Sequence, residues 1–455
     1  MKTKYIIFML IMFSVASCLK IPDEESRKEI IIPDENFETN TQNISVPFAV
    51  SINFINGQAE VNNPFENYGV TVNIEKQNVT IISTTMDMEV NYVLSGNTSN
   101  GFVKIYSDLR FGLILNGVSI LNPTGAAINI QSGNRISVML VDHTSNRLID
   151  GGSFQMTAGE DMKATFFSEG QLIFNGAGSL LVYGNYGHAI CSDDYIRINN
   201  GNITVNNATS DGIHCNDYFE MNGGKLVVNA KSDGVDCAKG YITINNGEIQ
   251  IYSGNKGLKS IENLTISGGR TEIESLEEGI RAEGNIVVTG GEIFCYGRAG
   301  LMSRNGAIAI TGGLLLTSGT RNAFDCAKTF SITGGTVIGV GRATTIPNES
   351  ASRQRTIVWG ATRFTKGQLI YIKSSHNAEV LTCKLPRAYS EDMALVYSSP
   401  LLQANTGYTI FKGGTLTGGS DFHGLYSGAV SNGGTTAATL NTSSIVTIVG
   451  NVVSQ

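Results

Sequence analysis

One turn recurs along the middle of this chain and dictates its architecture. It reads Asn175-Gly176-Ala177-Gly178, Asn199-Asn200-Gly201, Asn222-Gly223-Gly224, Asn245-Asn246-Gly247, Ser267-Gly268-Gly269, Thr289-Gly290-Gly291, Thr311-Gly312-Gly313 and Thr333-Gly334-Gly335. Its last glycine advances by 23, 23, 23, 22, 22, 22 and 22 residues. A period of that length is the mark of a solenoid. Apolar residues alternate before the turn, as in Ile196/Ile198, Phe219/Met221 and Ile242/Ile244, and again after it in Ile203/Val205, Leu226/Val228 and Ile249/Ile251. Alternation of period two marks strands with one buried face. A third strand follows, a small residue and then an apolar one: Gly212-Ile213, Gly234-Val235, Gly257-Leu258, Gly279-Ile280. Three short strands per repeat leave no room for a helix. The predicted fold is all-β, a right-handed parallel β-helix of about 22–23 residues per coil with β-rich terminal caps. Like residues of successive coils should stack at roughly 4.8 Å.

An interior ladder follows from the same register: Ser192, Cys215, Cys237, Ser260, Ala282, Ser303 and Cys326, all small. The cysteines read as core filler. No CxxC or Cys/His pair has zinc spacing, so no zinc site is expected.

The chain begins Met1-Lys2-Thr3-Lys4, continues with an apolar run over 5–15, and reaches Val15-Ala16-Ser17-Cys18. This reads as a secretory signal. It resembles a bacterial lipoprotein signal, which implies cleavage before Cys18 and a lipid on that residue. The predicted organisation is a signal peptide over 1–17, an acidic tether over 18–46, the β-helix over 47–345, and a C-terminal β-rich cap or small β-domain over 346–455. The product is expected to be secreted and lipid-anchored to a bacterial membrane, at the outer membrane or cell surface. The anchor is its one expected membrane contact, and a monomer is expected. A net charge of −7 and the lack of a basic patch argue against a nucleic-acid partner. His143, His376 and His423 are isolated in the sequence and are assigned no chemistry.

Several segments resemble the bacterial carbohydrate-binding domain family built on a pectate-lyase-like β-helix. They are Asn185-Tyr186-Gly187-His188-Ala189-Ile190 with Ser192-Asp193-Asp194, then Asp211-Gly212-Ile213-His214, Asp233-Gly234-Val235-Asp236 and Lys256-Gly257-Leu258-Lys259-Ser260. Lys163-Ala164 and the tail Ser398-Ser399-Pro400-Leu401 with Gly407-Tyr408-Thr409-Ile410 are similar too. The resemblance implies a cell-surface protein that binds plant-type polysaccharides, acidic ones included, with calcium. It does not imply catalysis.

The third strand carries the polar residues on which such binding could rest. Asp211, Asp233 and Asp236 should converge near a bend, on what reads as an outward row, with Asp193, Asp194 and Asp217 at a neighbouring corner. Stacked carboxylates can supply the several oxygens calcium prefers. His214, Lys256, Lys259 and Arg281 could hold the carboxylates of an acidic polysaccharide. Alternatively, these charges pair across coils, Asp236 with Lys259 and Glu278 with Arg281 or Lys256. If the protein is instead a calcium-dependent, pectate-type lyase, Lys259 or Arg281 would abstract the proton α to a uronate carboxyl. A ladder of Tyr195, Tyr218 and Tyr241 could stack on sugar rings or on itself. The leading expectation is a non-catalytic, calcium-dependent polysaccharide binder. The lyase and a purely structural or adhesive solenoid are its rivals.

Overall fold

The computed structural model describes residues 39–454. The signal segment, Cys18 and the first part of the tether lie outside the described residues. The regular secondary structure of the described chain is almost all strand, and it winds into a parallel β-solenoid of about 11 turns. Each regular coil contributes one strand to each of three parallel stacks. The pre-turn stack runs through Ile196–Ile198, Tyr218–Met221 and Tyr241–Ile244, paired Ile196↔Phe219 and Phe219↔Ile242. The post-turn stack runs through Asn202–Ala208, Lys225–Ala230 and Glu248–Ser253. The third stack runs through His188–Ser192, Ile213–Cys215, Val235–Cys237 and Leu258–Ser260.

The register follows the apolar alternation, because a slip of one residue would turn every core side chain outward. Ile196, Phe219, Ile242, Leu264, Ile286, Ile308 and Phe330 form one fully enclosed column, each 1 % exposed or less. Ser192, Cys215, Cys237, Ser260, Ala282 and Ser303 form the small-residue column. The six cysteines described are free thiols, and Cys326 is half-buried rather than enclosed.

The ends are irregular, as a solenoid requires to shield its open core and edges. Antiparallel hairpins, Ala49–Ile55 with Gln58–Asn62 and Val70–Glu75 with Asn78–Ser83, open the stack. Residues 39–46, in the stretch read as tether, lie against the solenoid. Gln42 donates its amide to Asn116 Oδ1 at 3.0 Å and accepts from Asn116 Nδ2 at 2.8 Å. At the other end, Tyr389–Ser398 pairs antiparallel with the last regular strand, Thr336–Gly341, and then with Thr356–Phe364. A separate six-stranded antiparallel sheet includes Leu369–Ser374, Glu379–Lys384, Gly407–Lys412 and Thr435–Asn441. The C-terminal region is therefore both a continuation of the solenoid wall and a sheet of its own.

Candidate functional site

The third stack aligns His214 with Asp236, Asp236 with Lys259, and Lys259 with Arg281. Asp211 and Asp233 sit one residue before the small residue of their coils, where the chain turns. Each accepts the amide of the equivalent residue one coil on: Asp233 N–H to Asp211 Oδ1 and Lys256 N–H to Asp233 Oδ1, both 2.9 Å. That bond draws the Asp211 and Asp233 carboxylates inward at the bend, whereas Asp236, within its strand, is covered by His214 and Lys259 on either side. Asp211, Asp233 and Asp236 are 5 %, 3 % and 6 % exposed, a correction to the outward row expected of them. Alternation counted along a strand does not carry through the bend, where the phase is reset.

Lys259 Nζ sits 2.9 Å from Asp236 and 3.5 Å from Asp233, and Lys256 Nζ 4.0 Å from Asp233. Arg281 lies 3.8 Å from Glu278, and Arg298, which the sequence did not suggest, lies 3.1 Å from Glu278. His214 lies between Asp211 and Asp236. The electrostatics follow. Burial alone would push the Asp211 carboxyl up, but His188 and His214 outweigh it and hold it well below the carboxylate range. Burial would also lower His214, but the two aspartates push it up to about 9. Against burial, Asp236 and its neighbours raise Lys259. Lys259 is thus held protonated, whereas a general base must be unprotonated near its working pH. Arg281 is bound among Glu278 and Glu283. Neither residue is poised as the base of a lyase.

The tyrosines form a continuous ladder. Tyr195 and Tyr218 stack at 4.3 Å and 11°, Tyr218 and Tyr241 at 5.0 Å and 5°. Their inner faces therefore largely cover one another. Their hydroxyl edges and the outer face of Tyr241, which is 37 % exposed, remain for a ligand. Arg197 braces the ladder over Tyr195 and Tyr218, and is itself held by Glu220 at 2.9 Å.

The row extends beyond what the sequence disclosed. Pairing of Phe111 with Ile136, of Ile136 with Leu172, and of Leu172 with Ile196 places Arg110, Arg135, Gln171 and Tyr195 on successive coils. The backbone bonds Phe111 N–H to Arg135 O, Ile136 N–H to Gln171 O and Leu172 N–H to Tyr195 O fix that column. Glu89, Arg110 and Arg135 line two adjoining hollows. One, of about 650 Å3, runs beside the 44–47 segment; the other, of about 560 Å3, reaches Gln171 and Tyr195. Arg110 is paired with Glu89. Arg135 is exposed and has no ion-pair partner among the described residues. The signal that could have revealed this column is the apolar pair Phe111/Leu113, Ile136/Val138, Leu172/Phe174, each preceded by a polar residue. It was hidden by the long excursion between Ile136 and Leu172.

Calcium was expected at two carboxylate clusters, and they differ. The oxygens of Asp211, Asp233 and Asp236 are engaged by amides, imidazoles and the Lys259 ammonium, so calcium would have to displace a cation already in place. Those three do not fit a calcium cage. Asp193 is tied to Lys163 at 3.0 Å. The carboxyls of Asp194 and Asp217 oppose each other on adjacent coils, and the Asp217 carboxyl is raised by loss of water and by Asp194. Gln171 donates to Asp194. This pair, immediately beside Tyr195 and Tyr218, suits a hard cation that draws further oxygens from a ligand.

Comparison with known proteins adds three findings. A family model described as carbohydrate-binding domain-containing protein matches residues 75–295 and 254–384. A relative from Acetivibrio thermocellus, also described as a carbohydrate-binding domain-containing protein, is 31% identical over 118 residues. That match covers 25% of this chain and 41% of the relative, less than half of the relative's length. Among solved structures, the gadolinium derivative of the polysaccharide lyase-like protein from C. thermocellum aligns with 64% of this chain and 99% of its own, at 21% identity and a TM-score of 0.41.

Proposed function

The chain belongs to the family of carbohydrate-binding domain-containing proteins, and from that membership we propose that it binds a polysaccharide without cleaving it, along the row from Arg110 to Tyr241. The observation that carries this reading is the row itself. Arg110, Arg135, Gln171, Tyr195, Tyr218 and Tyr241 project from successive coils and open into a groove at one end. The coil spacing of roughly 4.8 Å is close to the length one pyranose unit occupies in an extended chain. A glycan lying parallel to the solenoid axis would meet an equivalent side chain at each sugar. Tyrosine offers an apolar ring and a hydroxyl at once, a combination suited to sugars. Arginine offers a planar fork for a carboxylate, which supports acidic as well as neutral sugars as ligands. Calcium enters the proposal at Asp194 and Asp217, where it would bridge protein and uronate carboxylates beside the tyrosines. His214, Lys256, Lys259 and Arg281 act on this reading as the ion-pair lattice of the neighbouring wall. Secretion and a lipid on Cys18 complete the proposal, presenting the solenoid to polysaccharide outside the cell.

Affinity electrophoresis in gels containing polygalacturonate, xylan or a cellulose derivative, each with calcium and with chelator, tests it. The protein should be retarded in at least one gel, and Tyr218→Ala should weaken that retardation about 5-fold, as expected for loss of roughly 1 kcal/mol of hydrogen bonding from its hydroxyl edge. Arg135→Ala should weaken retardation by polygalacturonate alone. Unchanged mobility in every gel, or full retardation of Tyr218→Ala, would refute the assignment. Release of unsaturated uronides would replace it with a lyase.

A further inference from the structure

The corner beside the lysines holds a second arrangement, apart from the carbohydrate row. Asp211 Oδ2 lies 3.3 Å from His188 Nδ1 and 3.3 Å from His214 Nδ1, and Asp236 Oδ2 lies 3.4 Å from His214 Nδ1. The Asp211 amide is also 3.3 Å from His188 Nδ1. These separations are long for hydrogen bonds, which for N–H···O cluster near about 2.9–3.0 Å. The three carboxylate–imidazole separations match the edge of a tetrahedron around a zinc ion, about 3.3–3.4 Å for the usual bonds of about 2.0–2.1 Å to imidazole nitrogen or carboxylate oxygen. One ligand atom from each of His188, Asp211 and His214 lies within 4.8 Å of the other two.

The solenoid builds this cluster. Cys191 pairs with His214 across the third stack, and His188 and Asp211 occupy the same position of consecutive coils. The two imidazoles consequently stand 4.4 Å apart at 27° with both Nδ1 atoms on one carboxylate, and a turn of the rings about their side-chain bonds is what would bring both nitrogens onto one ion. The side chains are shallowly buried, 17 %, 8 % and 18 % exposed for His188, Asp211 and His214, so an ion can enter from solvent without unfolding a coil.

We propose that His188, Asp211 and His214 bind one divalent transition-metal ion of the zinc class. Two imidazoles and one carboxylate favour such an ion over calcium, which prefers an all-oxygen shell. Asp236, one tetrahedral edge from His214, is placed to approach the fourth position or to hold a water there. Binding replaces the long amide contact on His188. The linear rule that argued against zinc looks for closely spaced Cys and His; here a solenoid gathers ligands 23 and 3 residues apart from stacked coils.

The test is metal binding, with no carbohydrate present. Protein stripped with chelator is titrated with zinc chloride by calorimetry, and bound metal is counted by mass spectrometry after dialysis. One zinc per chain is expected, bound more tightly as pH rises from 6 to 8, because the ligands must shed protons. Cobalt in its place should give the visible absorption of a low-coordinate nitrogen–oxygen site. His188→Ala and His214→Ala should each weaken zinc binding roughly 10–100-fold or more and abolish the cobalt band. His188→Gln and His214→Asn, which keep side-chain bulk, serve if an alanine variant fails to fold. Asp194→Asn should keep the zinc. Absence of saturable uptake, uptake unchanged in the histidine variants, or displacement of zinc by equimolar calcium would each overturn the site.

Discussion

At the scale of single residues, the structure turns on how near one coil passes to the next. A Cβ on Gly240 would stand 1.6 Å from the Asp217 carbonyl oxygen, a backbone atom that cannot swing away. Gly224 combines a φ of 76° with a Cβ position 2.5 Å from the Gly201 carbonyl oxygen. That is why the repeated turn ends in glycine, for which positive φ carries no steric cost. By contrast, a Cβ on Gly133 would meet nothing within 4 Å. Gly240→Ala is expected to destabilise the protein by about 1–3 kcal/mol or more, the cost of forcing atoms into a filled space. Gly133→Ala should be neutral or stabilise by up to about 1 kcal/mol. Chemical denaturation of the two variants checks the contrast, and equal midpoints would contradict it.

Elements are joined by two devices. The first is a ladder of amides along the turn. Asn199 Nδ2 donates to Asn175 Oδ1 at 2.9 Å, Asn222 to Asn199 at 3.0 Å, and Asn245 to Asn222 at 2.8 Å. The asparagine that opens each early turn is thus bonded to its predecessor one coil back. The second device fastens the C-terminal antiparallel sheet to the solenoid wall. His423 Nε2 lies 3.1 Å from Glu272, its ring stacks on Phe294 at 3.9 Å and 5°, and Arg270 covers Phe422 at 5.2 Å. The histidine that seemed isolated in the sequence is a fastener between two sheets. Burial would push the Glu272 carboxyl up, but His423 and Arg270 hold it below its ordinary value. A depressed carboxylate contributes stability above its unfolded pKa and loses it as pH falls through the folded one. The melting temperature should therefore drop below about pH 4.5, and Glu272→Gln should drop less over the same interval. Parallel pH profiles would exclude Glu272 as the acid-sensitive joint.

Over the whole molecule, a coil touches chiefly its neighbours, so stability accumulates along one dimension and long arrays lose all-or-none behaviour. Trp359, the sole tryptophan, lies buried at the C-terminal end. Its fluorescence should report a denaturant transition offset from the far-UV signal of the solenoid; coincident transitions would mean one cooperative unit. The same one-dimensionality explains what the sequence disclosed. Where the metre held, from Asn175 to Thr333, the register of Phe219, Ile242 and Leu264 and the stacking of the three tyrosines could be counted. Where an excursion broke it, between Ile136 and Leu172, Arg110 and Arg135 went unrecognised. Periodicity also says nothing about bends or about cover from neighbouring side chains, which is why Asp211 and Asp233, at the bend, and Asp236, between His214 and Lys259, are largely covered. Antiparallel pairings such as Gly407–Lys412 with Thr435–Asn441 obey no fixed period, so the C-terminal sheet stayed undecided between cap and domain.

The row on the pre-turn stack is not the same at its two ends. It begins with two guanidiniums in a groove and finishes with a free aromatic face at Tyr241. A polysaccharide is also unlike at its two ends, reducing and non-reducing. A strand laid along such a row, on the proposed reading, can satisfy both ends in one orientation only. The solenoid would then act as a directional ruler, aligning captured chains head to tail with its own axis.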